Sequence, residues 1–212
     1  VGIVANQRKM VKSKSGEMQF GGVIYGDAAQ KASRFIANCN QRNIPLIFLQ
    51  DVTGFMVGSK AEHGGIIKDG AKMINAVSNS IVPKFTIVLG NSFGAGNYAM
   101  CGKAYDPRLM LAWPSAKMAV MGSNQAAEVL LQIEKSSAKK KGFKLDKKEE
   151  SELRKKISES YEDKTDILYA ASQLWVDAVI DPSETRSWIS MGIDMANQST
   201  PKEKFNMGIL QV

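Results

Sequence analysis

The stretch Leu89-Gly90-Asn91-Ser92-Phe93-Gly94-Ala95-Gly96-Asn97-Tyr98-Ala99-Met100 runs from an apolar strand through glycines into a helix. Just upstream, Phe85-Thr86-Ile87-Val88-Leu89 is too short for a helix and rich in β-branched residues, the pattern of a strand buried on both faces. Small residues at Gly94 and Gly96 allow close approach to the backbone, and the first helical turn leaves N–H groups without partners inside the helix. With the helix dipole behind them, such donors can hold the oxygen of a developing enolate. The glycine spacing is not that of a dinucleotide fingerprint, and no Lys-Ser/Thr follows Gly96 as in a P-loop. Taken alone, the turn reads equally as a tight packing device.

Farther out, Pro45-Leu46-Ile47-Phe48-Leu49-Gln50, closed by Asp51, is a second buried strand, and weaker strands fall at 23–25, 109–113, 118–121 and 176–180. The opening Val1-Gly2-Ile3-Val4-Ala5-Asn6 also reads as strand, so a longer parent protein is expected. Between the strands, Ala28, Ala32, Phe35, Ile36 and Cys39 recur at helical spacing after Asp27, a suitable N-cap. Ile66, Ile67, Ala71, Ile74 and Val77 predict one helix over 62–79. Strands alternating with helices define an α/β domain of repeated βα units filling residues 1 to 212. From Ser123 the pattern changes: Ala126, Val129, Leu130 and Ile133 mark a helix, Gly142 a break, and Asp146-Lys147-Lys148-Glu149 a capping box. Leu153, Ile157 and Tyr161 then form a narrow seam, so residues 135 to 162 read as a projecting helical arm. Ile167, Leu168, Ala171, Leu174 and Trp175 predict another packed helix, and a last helix spans 183–197.

Composition narrows the function classes. With 212 residues, 44% of them hydrophobic, the chain can bury a core, and no run of about 18 apolar residues suggests a membrane span. Cys39 and Cys101 sit among apolar residues and read as buried thiols. His63 is the sole histidine; it lacks a nucleophile motif beside it, and multi-imidazole metal sites are excluded, so no metal is expected. The net charge of +7 is concentrated between residues 135 and 156, where ten basic residues meet four acidic ones. Interleaving of Glu149, Glu150 and Glu152 among the lysines reads as a solvated face rather than a nucleic-acid footprint.

A second cluster, Asp51-Val52-Thr53-Gly54-Phe55-Met56-Val57-Gly58, also leaves the end of a strand. Loops at the carboxyl ends of neighbouring strands converge on one crevice, where a single ligand can touch both. The alternative is that Gly54 and Gly58 serve backbone geometry and that Phe55 is core.

The segments Gln41-Arg42-Asn43-Ile44-Pro45-Leu46, Thr53-Gly54-Phe55-Met56-Val57-Gly58, Lys68-Asp69-Gly70-Ala71-Lys72-Met73 and Phe93-Gly94-Ala95-Gly96-Asn97-Tyr98 resemble the carboxyltransferase (β) subunit of biotin-dependent acyl-CoA carboxylases. Trp113-Pro114, Val120-Met121-Gly122, Ile180-Asp181-Pro182 and Thr185-Arg186 extend the resemblance over nearly the whole chain, and the methylcrotonyl-CoA carboxylase β subunit is the best match within the family. The resemblance implies a crotonase-like (ClpP/crotonase) fold in which this chain corresponds to the C-terminal half of the subunit, the N-terminal half being absent. It implies carboxyl transfer from carboxybiotin, carried on a partner biotin carboxylase/biotin carrier subunit, to an acyl-CoA, within a hexamer of β subunits. Under it, the backbone N–H groups of Ala95 and Gly96, with Gly94, form an oxyanion hole. Thr53, Gly54, Phe55, Met56 and Val57, with Asn97 and Tyr98, line the biotin channel. No acid–base side chain is demanded, because biotin freed of its carboxyl group can take the substrate's proton. The isolated chain is then expected to lack turnover, and a branched side chain at Gly96 to crowd the ligand.

Other readings remain open here. A biotin-dependent decarboxylase shares the implied fold and chemistry. A crotonase-type hydratase or isomerase needs a carboxylate pair near the oxyanion loop, yet residues 92 to 100 contain no Asp or Glu. A non-enzymatic assembly module would use the basic arm to hold a partner. The resemblance implies the bacterial cytoplasm or the mitochondrial matrix.

Overall fold

Every apolar run singled out above forms a strand, and the two strongest lie side by side in one sheet. The computed structural model describes residues 1–13, 16–140, 146–198 and 205–206. The chain opens with β1 (Gly2–Ala5), a hairpin of β2 (Val11–Lys12) and β3 (Met18–Gln19), and β4 (Val23–Ile24) before α1 (Gly26–Gln41). β5 (Leu46–Val52) and the short β6 (Gly54–Phe55) lead to α2 (Ser59–His63) and α3 (Ile66–Ser78), after which β7 (Lys84–Phe93) runs directly into α4 (Gly94–Ala99). β8 (Leu109–Ala112) and β9 (Lys117–Ala119) precede α5 (Ser123–Lys140) and α6 (Lys147–Thr165). The chain closes on α7 (Ile167–Ser172), β10 (Ala178–Val179) and α8 (Thr185–Asn197).

The main sheet is parallel, ordered β1-β5-β7-β8-β10, and registers such as Ile47↔Phe85 and Ile87↔Leu111 alternate its side chains between two covered faces. Leu46, Phe48, Met73, Val77 and Met100 fill the face under α1, α3 and α4. Ile47, Phe85, Ile87 and Leu111 face α8 through Trp188, Ile189 and Ile193. Burial on both sides is why β5 and β7 read as continuous apolar runs rather than alternating ones. β7 outruns its predicted end by several residues because it changes partners: its last residues pair with β9, Asn91 opposite Lys117 and Phe93 opposite Ala119. Across from this switch, the β5 register slips between Gln50 and Val52.

Several expectations are corrected. The helix expected over 62–79 is broken into α2 and α3 at Gly64 and Gly65, where Gly65 takes φ +88°, and Ile67 is 78% exposed instead of buried. α1 begins after Tyr25, so Asp27 lies inside the first turn, where its carboxylate accepts from the Ala28 N–H at 2.8 Å. Leu174 and Trp175 belong to no helix: α7 ends at Ser172 and Leu174 adopts φ +58°, a turn that carries Trp175 to the surface at 41% exposure. Cys39 and Cys101 are buried free thiols, as expected. In the stretch read as an arm, α5 and α6 pack against each other. The capping box forms in both directions: Lys148 and Glu149 N–H donate to Asp146 Oδ1 at 2.7 and 2.8 Å, and Asp146 N–H donates to Glu149 Oε2 at 2.9 Å. The expected break at Gly142 lies outside the described residues.

Candidate functional site

The carboxyl ends of β5 and β7 are tied together before any ligand is considered. Asp51 is nearly buried; its Oδ1 accepts the Asn91 N–H at 3.0 Å and its Oδ2 pairs with Arg8 at 2.7 Å. Gly90 leaves room for this carboxylate, since a Cβ there would lie 2.6 Å from Asp51 Oδ1. One residue earlier on β5, the fully buried Gln50 accepts the Ser92 hydroxyl at 2.6 Å and donates to the Met100 carbonyl at 2.7 Å. Ser92 Oγ in turn accepts from Asn97 Nδ2 at 2.7 Å. This chain of bonds joins β5, the end of β7 and the C-terminal half of α4, satisfying polar groups that would cost about 1–3 kcal/mol each if left unpaired.

α4 begins without a side-chain cap. Gly94 turns strand into helix at φ +55°, and a Cβ there would lie 3.0 Å from the Val120 carbonyl. Gly96 faces inward, where a Cβ would lie 2.5 Å from Val52 Cγ2 and 3.3 Å from Gly54 Cα. This corrects the expectation for a branched side chain at 96: it would strike the core beneath α4 before it reached a ligand. Ala95 and Tyr98 are the exposed residues of the turn.

Gly94, Ala95, Asn97 and Tyr98 share an open cleft of about 430 Å³ with Met118 and Val120 beside β9, and with Lys103 and Trp175. Tyr98 meets Tyr105 edge to face at 6.0 Å, and Trp175 meets Tyr169 in the same way at 6.0 Å. Lys103 Nζ is held 2.8 Å from Asp177 Oδ1, while Asp177 Oδ2 accepts the Met110 N–H. The cleft is thus largely apolar and aromatic, with Gly94 and Ala95 of the first turn of α4 and no carboxylate among its lining residues.

The other predicted cluster lies on the opposite side of α4. Gly54 and Phe55 form β6 and pair with Val23 and Ile24; Thr53 donates to the Gly22 carbonyl through both its N–H, at 2.7 Å, and its hydroxyl, at 3.1 Å. Phe55 packs against the core, close enough to Gly70 that a Cβ there would lie 3.0 Å from the ring. Met56 donates to Ile24, and Val57 is exposed. Gly96 meets Gly54, so the two clusters touch, but residues 53 to 57 do not line the cleft beside Ala95. His63 is exposed on α2 and away from the cleft.

Residue types alone did not reveal Met118, Val120, Lys103 and Trp175 as neighbours of Ala95. Trp175 lies far along the chain and read as helix packing, and no spacing rule links it to α4. Cys101 follows α4 closely, but burial pushes its thiol up to about 11, so it stays neutral and is no nucleophile at ordinary pH.

Residues 1–207 match the family model described as the carboxyl transferase domain. The chain is 47% identical over 191 residues to the mitochondrial methylcrotonoyl-CoA carboxylase beta chain of Arabidopsis thaliana, covering 90% of this chain and 32% of the relative. It is 40% identical over 212 residues to the biotin-dependent 3-methylcrotonyl-coenzyme A carboxylase beta1 subunit of Mycobacterium tuberculosis, covering all of this chain and 37% of that one. Among solved structures, the beta subunit of Pseudomonas aeruginosa geranyl-CoA carboxylase superposes with a TM-score of 0.77 at 40% identity, over 89% of this chain and 36% of that one. The transcarboxylase 12S hexamer, solved with methylmalonyl-coenzyme A and methylmalonic acid bound, gives 0.80 at 35% identity, over 99% and 37%. The chain spans about a third of the length of the curated relatives it matches.

Proposed function

Because this chain belongs to the carboxyl transferase domain family and has the crotonase-like fold of the β subunits it superposes on, we propose that it forms the carboxybiotin-facing part of a site that moves a carboxyl group onto an acyl-CoA. The observation that carries this reading is the seating of α4: it follows the bonded Ser92 directly, packs Gly96 on Val52, and presents the exposed Ala95 to an apolar cleft lined by no carboxylate. The residues present fit a biotin head. Gly94 and Ala95 leave the backbone approachable, the N–H groups of Ala95 and Gly96 suit a ureido oxygen, and Tyr98, Met118, Val120 and Trp175 suit its apolar ring and chain. When bound, carboxybiotin supplies the activated carboxyl group and, after losing it, a base for the substrate's α-proton. This chain's own part is to orient that group, to stabilise negative charge on its oxygen and to keep competing acids away.

The resemblance to methylcrotonyl-CoA carboxylase β chains makes a methylcrotonyl-type acyl-CoA the favoured substrate. The partners in this reading are the remainder of the carboxyltransferase subunit, a biotin carrier subunit and further β subunits, in a mitochondrial matrix or a bacterial cytoplasm. No helix of the described residues is long and apolar enough to cross a membrane. A hydratase or isomerase is disfavoured, since the cleft offers no carboxylate as acid or base.

Titrating the chain with biotin methyl ester while following amide resonances tests the proposal. Saturable shifts are expected at Ala95, Gly96 and Tyr98. Ala95→Phe, which fills the cleft from an exposed position, is expected to abolish them without lowering the melting temperature. Saturable binding that leaves these amides unmoved would place the biotin site elsewhere.

A further inference from the structure

Among the described residues lining the cleft beside α4, only Lys103 is charged. Its backbone is seated close to the helix: the Gly102 N–H donates to the Asn97 carbonyl at 2.8 Å, and a Cβ at Gly102 would lie 1.9 Å from Asn97 Oδ1. Lys103 then opens the short turn Lys103–Tyr105. Its ammonium meets Asp177 Oδ1 at 2.8 Å, the two side chains being 46% and 36% exposed.

Asp177 does not depend on that bond for its place. Its Oδ2 accepts the Met110 N–H at 2.7 Å, and its own N–H donates to the Met110 carbonyl at 2.7 Å. Trp175 is likewise tied by its backbone, its N–H donating to the Ala170 carbonyl at 3.0 Å. An ammonium has three donors, of which Asp177 takes one. Exposed ion pairs hold weakly, so a second carboxylate can share the lysine or draw it from Asp177 at little cost.

The ureido ring of biotin is neutral, whereas carboxybiotin bears an anionic carboxylate on a ureido nitrogen. A carboxylate brought into apolar surroundings is penalised unless a cation bonds it, and the other lining residues offer none. We infer that Lys103 recognises the N-carboxylate of carboxybiotin and so makes the cleft select the loaded form of the group over the discharged one. Once the carboxyl group has left, the lysine returns to Asp177 alone, which loosens the discharged form. The inference rests on the proposed reading of the cleft as the biotin site and adds a specificity-determining residue to it.

The test uses the whole chain and two stable probes: biotin methyl ester with a carboxymethyl group on a ureido nitrogen, and the same ester with an uncharged carbamoylmethyl group there. Amide resonances of Ala95, Gly96 and Tyr98 report binding. The acid is expected to bind about tenfold more tightly than the amide at low salt, a difference of about 1.4 kcal/mol. Added salt should narrow the gap. Lys103→Met should abolish it by weakening the acid alone, and Lys103→Arg should keep it. Asp177→Asn, which retains an oxygen for the Met110 N–H, should widen it by removing the competing charge. Equal binding of the two probes by the unaltered chain overturns the inference. So does an equal loss for both in Lys103→Met, the mark of a merely structural lysine, or a preference that does not rise in Asp177→Asn. Biotin methyl ester, titrated into the same samples, reports separately on the function. Its shifts at Ala95 persisting while the two probes bind alike remove the role of Lys103 alone; their absence removes the biotin reading and the inference with it.

Discussion

The start of α4 and the start of α6 are both helix N-termini, built in opposite ways. α6 carries its start in its own sequence: Asp146 and Glu149 cap each other's backbone within one turn, and surface ion pairs tie it to α5, Arg154 to Glu128 and Lys135 to Glu150, and to β9, Lys117 to Glu162. α4 has no side-chain cap and is far too short to persist alone. It is held by Gln50, Ser92 and Val52, which belong to two different strands. Gly96 packed on Val52 and the bonded Ser92 seat the turn at residues 94 to 96 on buried neighbours, which suits an oxyanion site that must be set before charge develops.

Gly96→Val breaks this contrast most sharply. Its branched side chain must displace Val52 and lift α4 from β5 and β6, at an expected cost of about 3 kcal/mol, the upper range of overpacking. Urea unfolding of the chain measures it; a loss below about 0.5 kcal/mol would mean that α4 is not clamped.

A smaller effect is expected from Cys101, in the turn after α4. Its thiol is held up to about 11 by burial, from an unfolded value near 9. The folded chain therefore keeps a proton that the unfolded chain loses, and this contribution is whole below pH 9, shrinks between the two values and is gone above pH 11. The decline amounts to about 2–3 kcal/mol at roughly 1.4 kcal/mol per unit. Lys84 acts in the opposite sense, because burial lowers its ammonium and stability rises with pH toward its unfolded value. Comparing the chain with Cys101→Ser isolates the thiol: unfolding curves for the two should diverge above pH 9, and parallel curves would show that the thiol is not shielded.

The smallest effect belongs to the arm. Asp146→Ala should cost about 1 kcal/mol, confined to α6, and Arg154→Gln no more than about 1 kcal/mol, since exposed ion pairs contribute little. Hydrogen exchange should show faster opening of the first turn of α6 in Asp146→Ala while the amides of α4 keep their rates. Loosening of α4 by either change would couple the two regions and erase the contrast.

The sequence by itself determined the strands, most helices, the capping box at Asp146 and the buried state of Cys39 and Cys101, because each follows from residues close together in the chain or from apolar periodicity. It also held the order of motifs that names the family. It could not show that Gly96 packs on Val52 and Gly54, that Phe55 turns into the core, or that β7 extends by exchanging β8 for β9. Nor could it bring Trp175 to the cleft beside Ala95, since the left-handed turn at Leu174 overrides a local helical pattern. Those outcomes depend on which surfaces meet across distant parts of the chain. A glycine that clears a ligand and one that clears a neighbouring strand look the same until the tertiary structure supplies the neighbour.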